Sequence, residues 1–529
     1  MKYDKIFKNG RIHTMESEGD CWYGLAVDGE KIAALYAGEA DITDEAEEVI
    51  DLQGQTMLPG FIDCHMHLLS YTQSLQSVSL RGAKSWAECK EKLIERAKIT
   101  PKGEWVRGAQ FNHEQWEIPE LPDRHELDTI STEHPIIIGR YCMHVHCCNT
   151  LALEMAGLDR NYVPEAENAV QYDENGDPNG ILLEDAVSPL LCVIPDKLAT
   201  FEAKKDAMAE VIKELNSHGV TGAHPIQGKF CDAKEFIDIY QVLEKEGRLS
   251  VRVYVNFDEY PVFGMRSGFG SNMIKYGFFK IYSDGSLGSR GAALFEEYAD
   301  APGVYGVINY PQEVMTAMVK KAYDMDLQIG IHAIGDKGLD IVLNAIEEVY
   351  NANPKPDQRF RLIHVMVVNE DLIARMKKLP VVLDIQPKFV SSNVNWSEER
   401  LGPERAKYSY MWRRLIDEGL TLTASSDSPV EPYDPLMGAY AITTRQDLEG
   451  NPPEGYHPEQ RVTTFEALTM YTKNAAYASF EEDIKGTLAA GKLADLVILD
   501  RDPFEVEPKE LLNINVMQTW LGGKKVFEK

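Results

Sequence analysis

Two histidines separated by one residue stand in the segment PGFIDCHMHLL. Residues i and i+2 of a β-strand point to the same face, so His65 and His67 would present their imidazoles side by side. The run before them is apolar, which places the pair at the carboxyl end of a buried strand. Two imidazoles at such a position are half of a metal site. The alternative for an HxH pair is two partly buried histidines held by hydrogen bonds, and later residues argue against it.

Four further residues with ligand or acid–base chemistry lie in strand-like runs. They are His332 in QIGIHAI, His364 in FRLIHV, Asp427 in LTLTASSD and Lys280 in FFKIYSD. A carboxylate at Asp427 can bind metal or take a proton from water, or it can cap a helix or turn. A desolvated lysine such as Lys280 has a lowered pKa and can be carboxylated by carbon dioxide to give a metal ligand. The alternative for Lys280 is an ion pair with Asp284.

The elements that would position these side chains alternate between strand and helix. Eight short apolar runs predict strands near residues 61, 221, 252, 280, 330, 362, 383 and 423. Helical patterns lie between several of them, including 201–219 and GLDIVLNAIEEVY. Eight such units predict an α/β fold, a (β/α)8 TIM-type barrel with its active site at the carboxyl ends of the strands. The six candidates fall on strands one, one, four, five, six and eight, so the barrel would gather them.

The two termini and the interval after the first strand predict additional structure. Both ends of the chain read as short strands separated by NG, DG and GG turns. We therefore predict a small β-sandwich made of residues 1–57 and 485–529, and a barrel over 58–484. The interval between strands one and two is too long for one helix, which predicts a large insertion over about 70–200.

The composition limits the partners. The chain has 529 residues, with 84 acidic and 54 basic side chains and a formal net charge of −30. This balance disfavours nucleic acids and anionic membranes and leaves a small molecule as the expected substrate. The sequence shows no transmembrane run, no secretory signal and no CxxC pair among its eight cysteines. We expect a cytoplasmic enzyme and consider a homodimer.

The candidate residues together predict one or two divalent cations at the barrel mouth. The set is His65, His67, Lys280, His332, His364 and Asp427. Imidazole and carboxylate ligands favour zinc, with manganese, iron or nickel as alternatives. A divalent metal lowers the pKa of water and polarises a carbonyl. In this hypothesis Asp427 takes a proton from the attacking water and passes it to a leaving nitrogen.

The chain resembles the amidohydrolase superfamily, and within it the amidohydrolase-3 branch that includes N-substituted formamide deformylase. The resemblance covers nearly the whole chain and rests on PGFIDCHMHL, KIYSDGSLGSRGAAL, HAIGDKG, SSDSPVEPYDP and KGTLAAGKLADLVILDRDPF. It implies that the four histidines and Lys280, carboxylated or not, are metal ligands and that Asp427 is the catalytic acid/base. His144 resembles a histidine that this branch places near its substrate. We assign His144 and Asp284 to substrate binding.

Two departures from the branch pattern bear on function. Ile363 stands where the branch commonly has the glutamate of RIEH, and TGAHPIQ carries His224 and Gln227 where a more acidic sequence is expected. The resemblance implies a metal-dependent hydrolase of a C–N bond in a small amide, formamide or cyclic amide. The alternatives are an isomerase or lyase on the same site, and a regulatory binding protein that keeps the fold without the chemistry.

Overall fold

The computed structural model describes residues 1–113, 116–140, 145–163, 170–227, 232–261, 264–393 and 396–529. The chain forms two compact units, one made of Met1–Tyr71 with Lys205–Lys529 and the other of Thr72–Lys204. The fold class predicted from the sequence is confirmed: a TIM-type barrel, a large insertion after its first strand, and a β-sandwich built from both termini. The exact limits predicted for sandwich, barrel and insertion stay a prediction.

The strands follow one another in four groups along the chain. The first group is β1 (Lys2–Lys8), β2 (Arg11–His13), β3 (Cys21–Trp22), β4 (Gly24–Asp28), β5 (Lys31–Tyr36), β6 (Glu45–Asp51), β7 (Thr56–Pro59) and β8 (Phe61–Met66). The insertion contains β9 (Val78–Ser79), β10 (Val106–Phe111), β11 (Ile136–Arg140), β12 (Val145–Cys148), β13 (Val170–Tyr172) and β14 (Pro178–Leu183). Then come β15 (Val220–Pro225), β16 (Arg252–Phe257), β17 (Ile274–Tyr282), β18 (Ile329–Ala333), β19 (Phe360–His364), β20 (Val381–Ile385) and β21 (Thr421–Ala424). The last group is β22 (Leu496–Leu499), β23 (Val516–Leu521) and β24 (Lys524–Glu528).

The helices are distributed between these strands. Those up to the second barrel strand are α1 (Leu68–Ser74), α2 (Trp86–Ile99), α3 (Arg124–Asp128), α4 (Thr150–Ala156), α5 (Ser188–Val193) and α6 (Phe201–Ser217). Those between the second and eighth barrel strands are α7 (Ala233–Lys245), α8 (Gln312–Asp324), α9 (Asp336–Ala352), α10 (Glu370–Met376), α11 (Pro387–Asn393), α12 (Ser397–Leu401), α13 (Pro403–Ala406) and α14 (Trp412–Asp417). The last three are α15 (Pro435–Thr444), α16 (Thr464–Met470) and α17 (Lys473–Ala478).

The barrel consists of β8 and β15–β21, arranged around the sheet in chain order. All residues of β8, β15, β16, β19 and β20 are buried, because the strands of a parallel sheet are covered on both faces and therefore form continuous apolar runs. Gly60 lets β8 approach β15 closely, since a Cβ there would lie 2.2 Å from Oγ1 of Thr221. The eight strands predicted from the sequence are confirmed.

The ring closes between its first and last strands just beyond their regular ends. The amide of Asp427 donates to the carbonyl of His65 at 2.8 Å, and the amide of His67 donates to the carbonyl of Ser428 at 2.8 Å. These bonds hold the segment after β21 directly against the carboxyl end of β8.

The sandwich joins the two ends of the chain. Its sheets have the orders β5-β4-β1-β6 and β24-β23-β22-β7-β2-β3, so strands from both termini share the second sheet. Phe7 and Trp520, one from each end, meet edge-to-face at 5.1 Å in the core.

The insertion has its own six-stranded sheet, with the order β13-β14-β12-β11-β10-β9. Two buried apolar clusters pack within it, one around Leu93 and Ile138 and the other around Leu153 and Leu182. In the part of the chain that the structure describes, no helix has the length and apolar character needed to cross a membrane.

Candidate metal centre

His65 and His67, at the end of the first barrel strand, lie next to the carboxylate of Asp427, which follows the last barrel strand. Nε2 of His65 lies 3.3 Å from Oδ1 of Asp427, and Nε2 of His67 lies 3.4 Å from the same oxygen. The ligand atoms of these three residues all lie within 4.8 Å of one another. That spacing is compatible with a shared cation, because metal–ligand bonds of this type are about 2 Å long.

Burial and neighbouring charges shift the pKa values of His65 and Asp427. Burial, followed by the charge of Lys280, lowers the pKa of His65 to about 3. Burial alone would raise the pKa of Asp427, but its contacts with His65 and His67 outweigh that effect and hold the pKa well below its usual range. The cluster therefore combines neutral imidazole with an ionised carboxylate, which is the protonation state that metal ligands require.

Several buried polar atoms here are left without a hydrogen-bond partner in the described structure. They are both ring nitrogens of His65, which has no exposed surface, and Nζ of Lys280, which is 1% exposed. Buried polar groups are normally satisfied, and each exception calls for an explanation such as an ion. The nitrogen and oxygen donors of this set fit a divalent cation held by His65, His67 and Asp427, with Lys280 beside them.

His332 on β18 is oriented by a carboxylate and a carbonyl. Its Nε2 lies 3.3 Å from Oδ1 of Asp284 and 3.4 Å from the carbonyl oxygen of Gly285. Because both neighbours only accept hydrogen bonds, Nε2 is the protonated nitrogen, and Nδ1 is left with its lone pair.

Asp284 itself is fixed by backbone amides. Its carboxylate accepts from Ile334 at 3.1 Å, from Gly335 at 2.8 Å and from Ala293 at 3.0 Å. Gly335 is needed here, since a Cβ would lie 2.0 Å from the carbonyl oxygen of Ala293. The HAIGDKG motif thus builds the turn that holds the carboxylate beside His332. The substrate-binding role assigned to Asp284 stays a prediction, and its side chain has no exposed surface.

His364 ends β19 and brings its ring against the other histidines. Its ring centroid lies 4.4 Å from that of His332 and 5.5 Å from that of His65. Nδ1 of His364 lies 2.6 Å from Oε1 of Gln386, which directly follows β20. Burial, followed by the neighbouring His332, holds the pKa of His364 well below its usual range.

Lys280 lies within β17 and is buried. Its Nζ lies 4.9 Å from the ring centre of Tyr282, and burial lowers the pKa of Lys280 to about 7. Arg361 and Asp384, both fully buried, form an ion pair at 2.7 Å in the barrel interior. The sequence hypothesis that Lys280 pairs with Asp284 is wrong: the carboxylate of Asp284 is bound by backbone amides, and no described acid lies within ion-pair distance of Lys280.

The two departures from the branch pattern lie inside the barrel. Ile363 packs with Ile226, Tyr254 and Phe278 in one buried apolar cluster. On β15, Nδ1 of His224 lies 3.5 Å from a guanidinium nitrogen of Arg361. Ile363 therefore contributes an apolar side chain to the barrel interior.

The structure gathers five of the six predicted ligands directly. His65, His67 and Asp427 form one cluster. The ring of His364 contacts that of His65, and the ring of His332 contacts that of His364. Asp427 lies three residues beyond β21 instead of ending it. His144 lies outside the described residues. Sequence reasoning missed Gln386, whose only signal was its position directly after a barrel strand.

Comparison with known proteins gives the class. The family model described as Amidohydrolase family matches residues 48–527. The chain therefore belongs to the amidohydrolase family, and it is a hydrolase by that membership.

Individual relatives cover almost the whole chain. YtcJ of Bacillus subtilis, whose name describes it as an amidohydrolase, is 31% identical over 536 residues, covering 99% of both chains. N-substituted formamide deformylase of Arthrobacter pascens is 26% identical over 547 residues, covering 99% of this chain and 98% of the relative. The crystal structure of an uncharacterized metal-dependent hydrolase from Pyrococcus horikoshii is 30% identical, with a TM-score of 0.75, and covers 95% of this chain and 99% of that one.

Proposed function

We propose that this protein is a metal-dependent hydrolase that cleaves a C–N bond in a small amide, formamide or cyclic amide. The observation that carries the proposal is the convergence of His65, His67 and Asp427 in one cluster, in which both ring nitrogens of the buried His65 lack a hydrogen-bond partner. The similarity to N-substituted formamide deformylase supports amides as the substrate class.

The donor set favours zinc as the metal, with one or two ions per chain. When bound, a divalent cation polarises the substrate carbonyl and lowers the pKa of water. Lys280, carboxylated by carbon dioxide, would add an anionic ligand that faces the histidines. Its burial and its unpartnered Nζ support that modification.

Asp427 moves the proton in this proposal. Its carboxylate is held by the backbone bond to His65 and lies beside the imidazoles of His65 and His67, where it can accept a proton from the attacking water. The water oxygen forms the new bond to the carbonyl carbon, the C–N bond breaks, and the proton passes from Asp427 to the leaving nitrogen. Every atom of the water then appears in the two products.

The test combines metal analysis with a screen of N-formyl and N-acyl amines. We expect bound transition metal and products whose summed mass exceeds that of the substrate by one water. His65→Ala should lose the metal and the activity. His13→Ala should retain both, because His13 is a buried histidine of the sandwich that contacts Asp502 at 2.8 Å.

Other results would refute the proposal. Product without added water would indicate an isomerase or lyase. A metal-free protein with no activity restored by metal, whose biological effect survives His65→Ala, would indicate the regulatory alternative.

A further inference from the structure

Gln386 contacts one histidine of the site through its amide oxygen. Oε1 of Gln386 lies 2.6 Å from Nδ1 of His364, and the two side chains are 1% and 3% exposed. His364 ends β19 and Gln386 directly follows β20, and the carboxyl ends of these two parallel strands lie side by side. Backbone pairing of these strands therefore fixes the distance between them.

The orientation of the Gln386 amide is determined by its other contacts. Its Nε2 donates to the carbonyl of Asp384 at 3.1 Å and to Oγ of Ser425 at 3.0 Å. The hydroxyl of Ser425 donates in turn to the carbonyl of Ile385 at 3.0 Å. A carbonyl can only accept, so the NH2 group must face Asp384, and the oxygen must face His364.

This orientation selects the tautomer of His364. Oε1 carries no hydrogen, so Nδ1 of His364 must be the donor in the 2.6 Å contact. A neutral imidazole has one N–H, which leaves the lone pair on Nε2. The arrangement is opposite to that of His332, where Asp284 and Gly285 face Nε2 and leave the lone pair on Nδ1.

We propose that Gln386 is a positioning residue that holds His364 as the Nδ1–H tautomer and directs its Nε2 to the metal. This inference rests on the metal site of the proposed function and deepens it. Groups that hydrogen-bond the second nitrogen of a ligating histidine fix its ring and tautomer, and their loss typically costs about 10- to 100-fold in metal affinity.

The chain offers a matched control for the key variant. Gln328 is 2% exposed, and its amide is likewise fully engaged: it accepts from Tyr254 at 3.0 Å and donates to the carbonyls of Arg359 and Ala478. It precedes β18 at the amino end of the barrel strands. Gln386→Met and Gln328→Met therefore remove the same amide from equally buried positions, and only the first touches the metal centre.

The experiment measures Zn²⁺ affinity by competition with a chromogenic chelator, with thermal unfolding recorded in parallel. We expect Gln386→Met to weaken Zn²⁺ binding by about 10- to 100-fold. Gln386→Glu keeps an acceptor for Nδ1–H and should stay closer to the wild type. Gln328→Met should lower thermal stability and leave Zn²⁺ affinity within about threefold.

Two outcomes would overturn the inference: unchanged Zn²⁺ affinity in Gln386→Met, or an equal loss in Gln328→Met. A wild-type protein that binds no Zn²⁺ would overturn it together with the metal site. A wild-type protein that binds Zn²⁺ with the expected variant pattern, and hydrolyses no amide, would support this inference while refuting the proposed function.

Discussion

Three residues at the site have left-handed backbone conformations that side chains disfavour. The φ angles are +81° at His364, +47° at Val365 and +55° at Asp427. Each such residue costs about 1–3 kcal/mol and persists only where surrounding contacts over-determine it. Here the amide of Val365 donates to the carbonyl of Ala333 at 3.0 Å, and that of Asp427 to His65 at 2.8 Å. Hydrogen bonds between strand ends therefore hold these candidate ligands in place against local strain.

Lys280 gives a prediction at the scale of one residue. A charged Nζ buried without an acceptor is costly. The neutral amine instead attacks carbon dioxide, forming the N–C bond of an anionic carbamate and releasing one proton from nitrogen. We expect protein incubated with ¹³C-bicarbonate and Zn²⁺ to show a carbamate carbon signal in NMR. Lys280→Met should abolish that signal and reduce the metal bound per chain.

Lys205 supplies the control for that measurement. It is also buried, but its Nζ pairs with Glu246 at 2.7 Å. Lys205→Met should therefore keep the carbamate signal. A signal that persists in Lys280→Met, or is missing from the wild type, would contradict carboxylation of Lys280.

The candidate ligands could be selected from the sequence because their chemistry is unusual at strand ends. His65 and His67 share a face by the period of the strand, and the barrel rule places the other candidates at the same end. The partners of each ligand could not be recognised. Whether Asp284 faces backbone amides or Lys280 depends on the turn at Gly335, and the orientation of the Gln386 amide depends on contacts between strands.

At the scale of elements, the strands were easier to predict than the short helices. Each barrel strand is a compact apolar run, because it is covered on both faces. The helices between β20 and β21 have 7, 5, 4 and 6 residues, which is too few turns to show a helical period. The sequence predicts Asp427 at the end of the last strand because TASSD continues its extended pattern, whereas β21 ends at Ala424.

Glu481 joins helix α17 to the amino end of β17 and gives a prediction at this scale. Its carboxylate, 3% exposed, contacts Lys485 at 2.6 Å and Lys275 at 3.0 Å. Removing one partner of a buried ion pair typically costs about 3–5 kcal/mol, because the other charge is left uncompensated. We expect Glu481→Gln to lower the free energy of unfolding, measured by urea denaturation at pH 7, by an amount of that order.

The same carboxylate predicts how the effect depends on pH. Burial would raise the pKa of Glu481, but Lys485 and Lys275 outweigh it and hold the pKa below the ordinary value of 4.5. A lowered folded pKa gives stability that is present above pH 4.5 and is lost as the pH falls below it. The difference between wild type and Glu481→Gln should shrink in that acid range. A difference that is constant with pH, or equal to that of the exposed Glu404→Gln, would contradict this account.

At the scale of the whole molecule, the order of elements along the chain decides how the sandwich is built. β22 follows the whole barrel in the chain, and it pairs with β7, which precedes the barrel. In this pairing Val497 lies opposite Leu58. The turn signals indicate short strands at both ends of the chain. Because the two ends have this same pattern, the sequence predicts that they pair into one domain. The exact register could not be predicted, because it depends on cross-strand packing around residues such as Trp520.

The buried ion pair between Arg252 on β16 and Asp495, just before β22, joins the barrel to the sandwich. The guanidinium contacts the carboxylate at 2.7 and 2.9 Å, and both residues are under 10% exposed. We expect Arg252→Met to cost about 3–5 kcal/mol and the added Asp495→Leu to recover part of it, since the pair is then replaced by apolar groups. Hydrogen exchange should show the loss of protection first in β22–β24, because these strands lose their anchor to the barrel.

The control is Arg160→Met, at a solvent-exposed ion pair with Asp177, which should leave hydrogen exchange unchanged. Uniform loss of protection across barrel and sandwich would instead mean that the two parts open together, without a separable junction at Arg252.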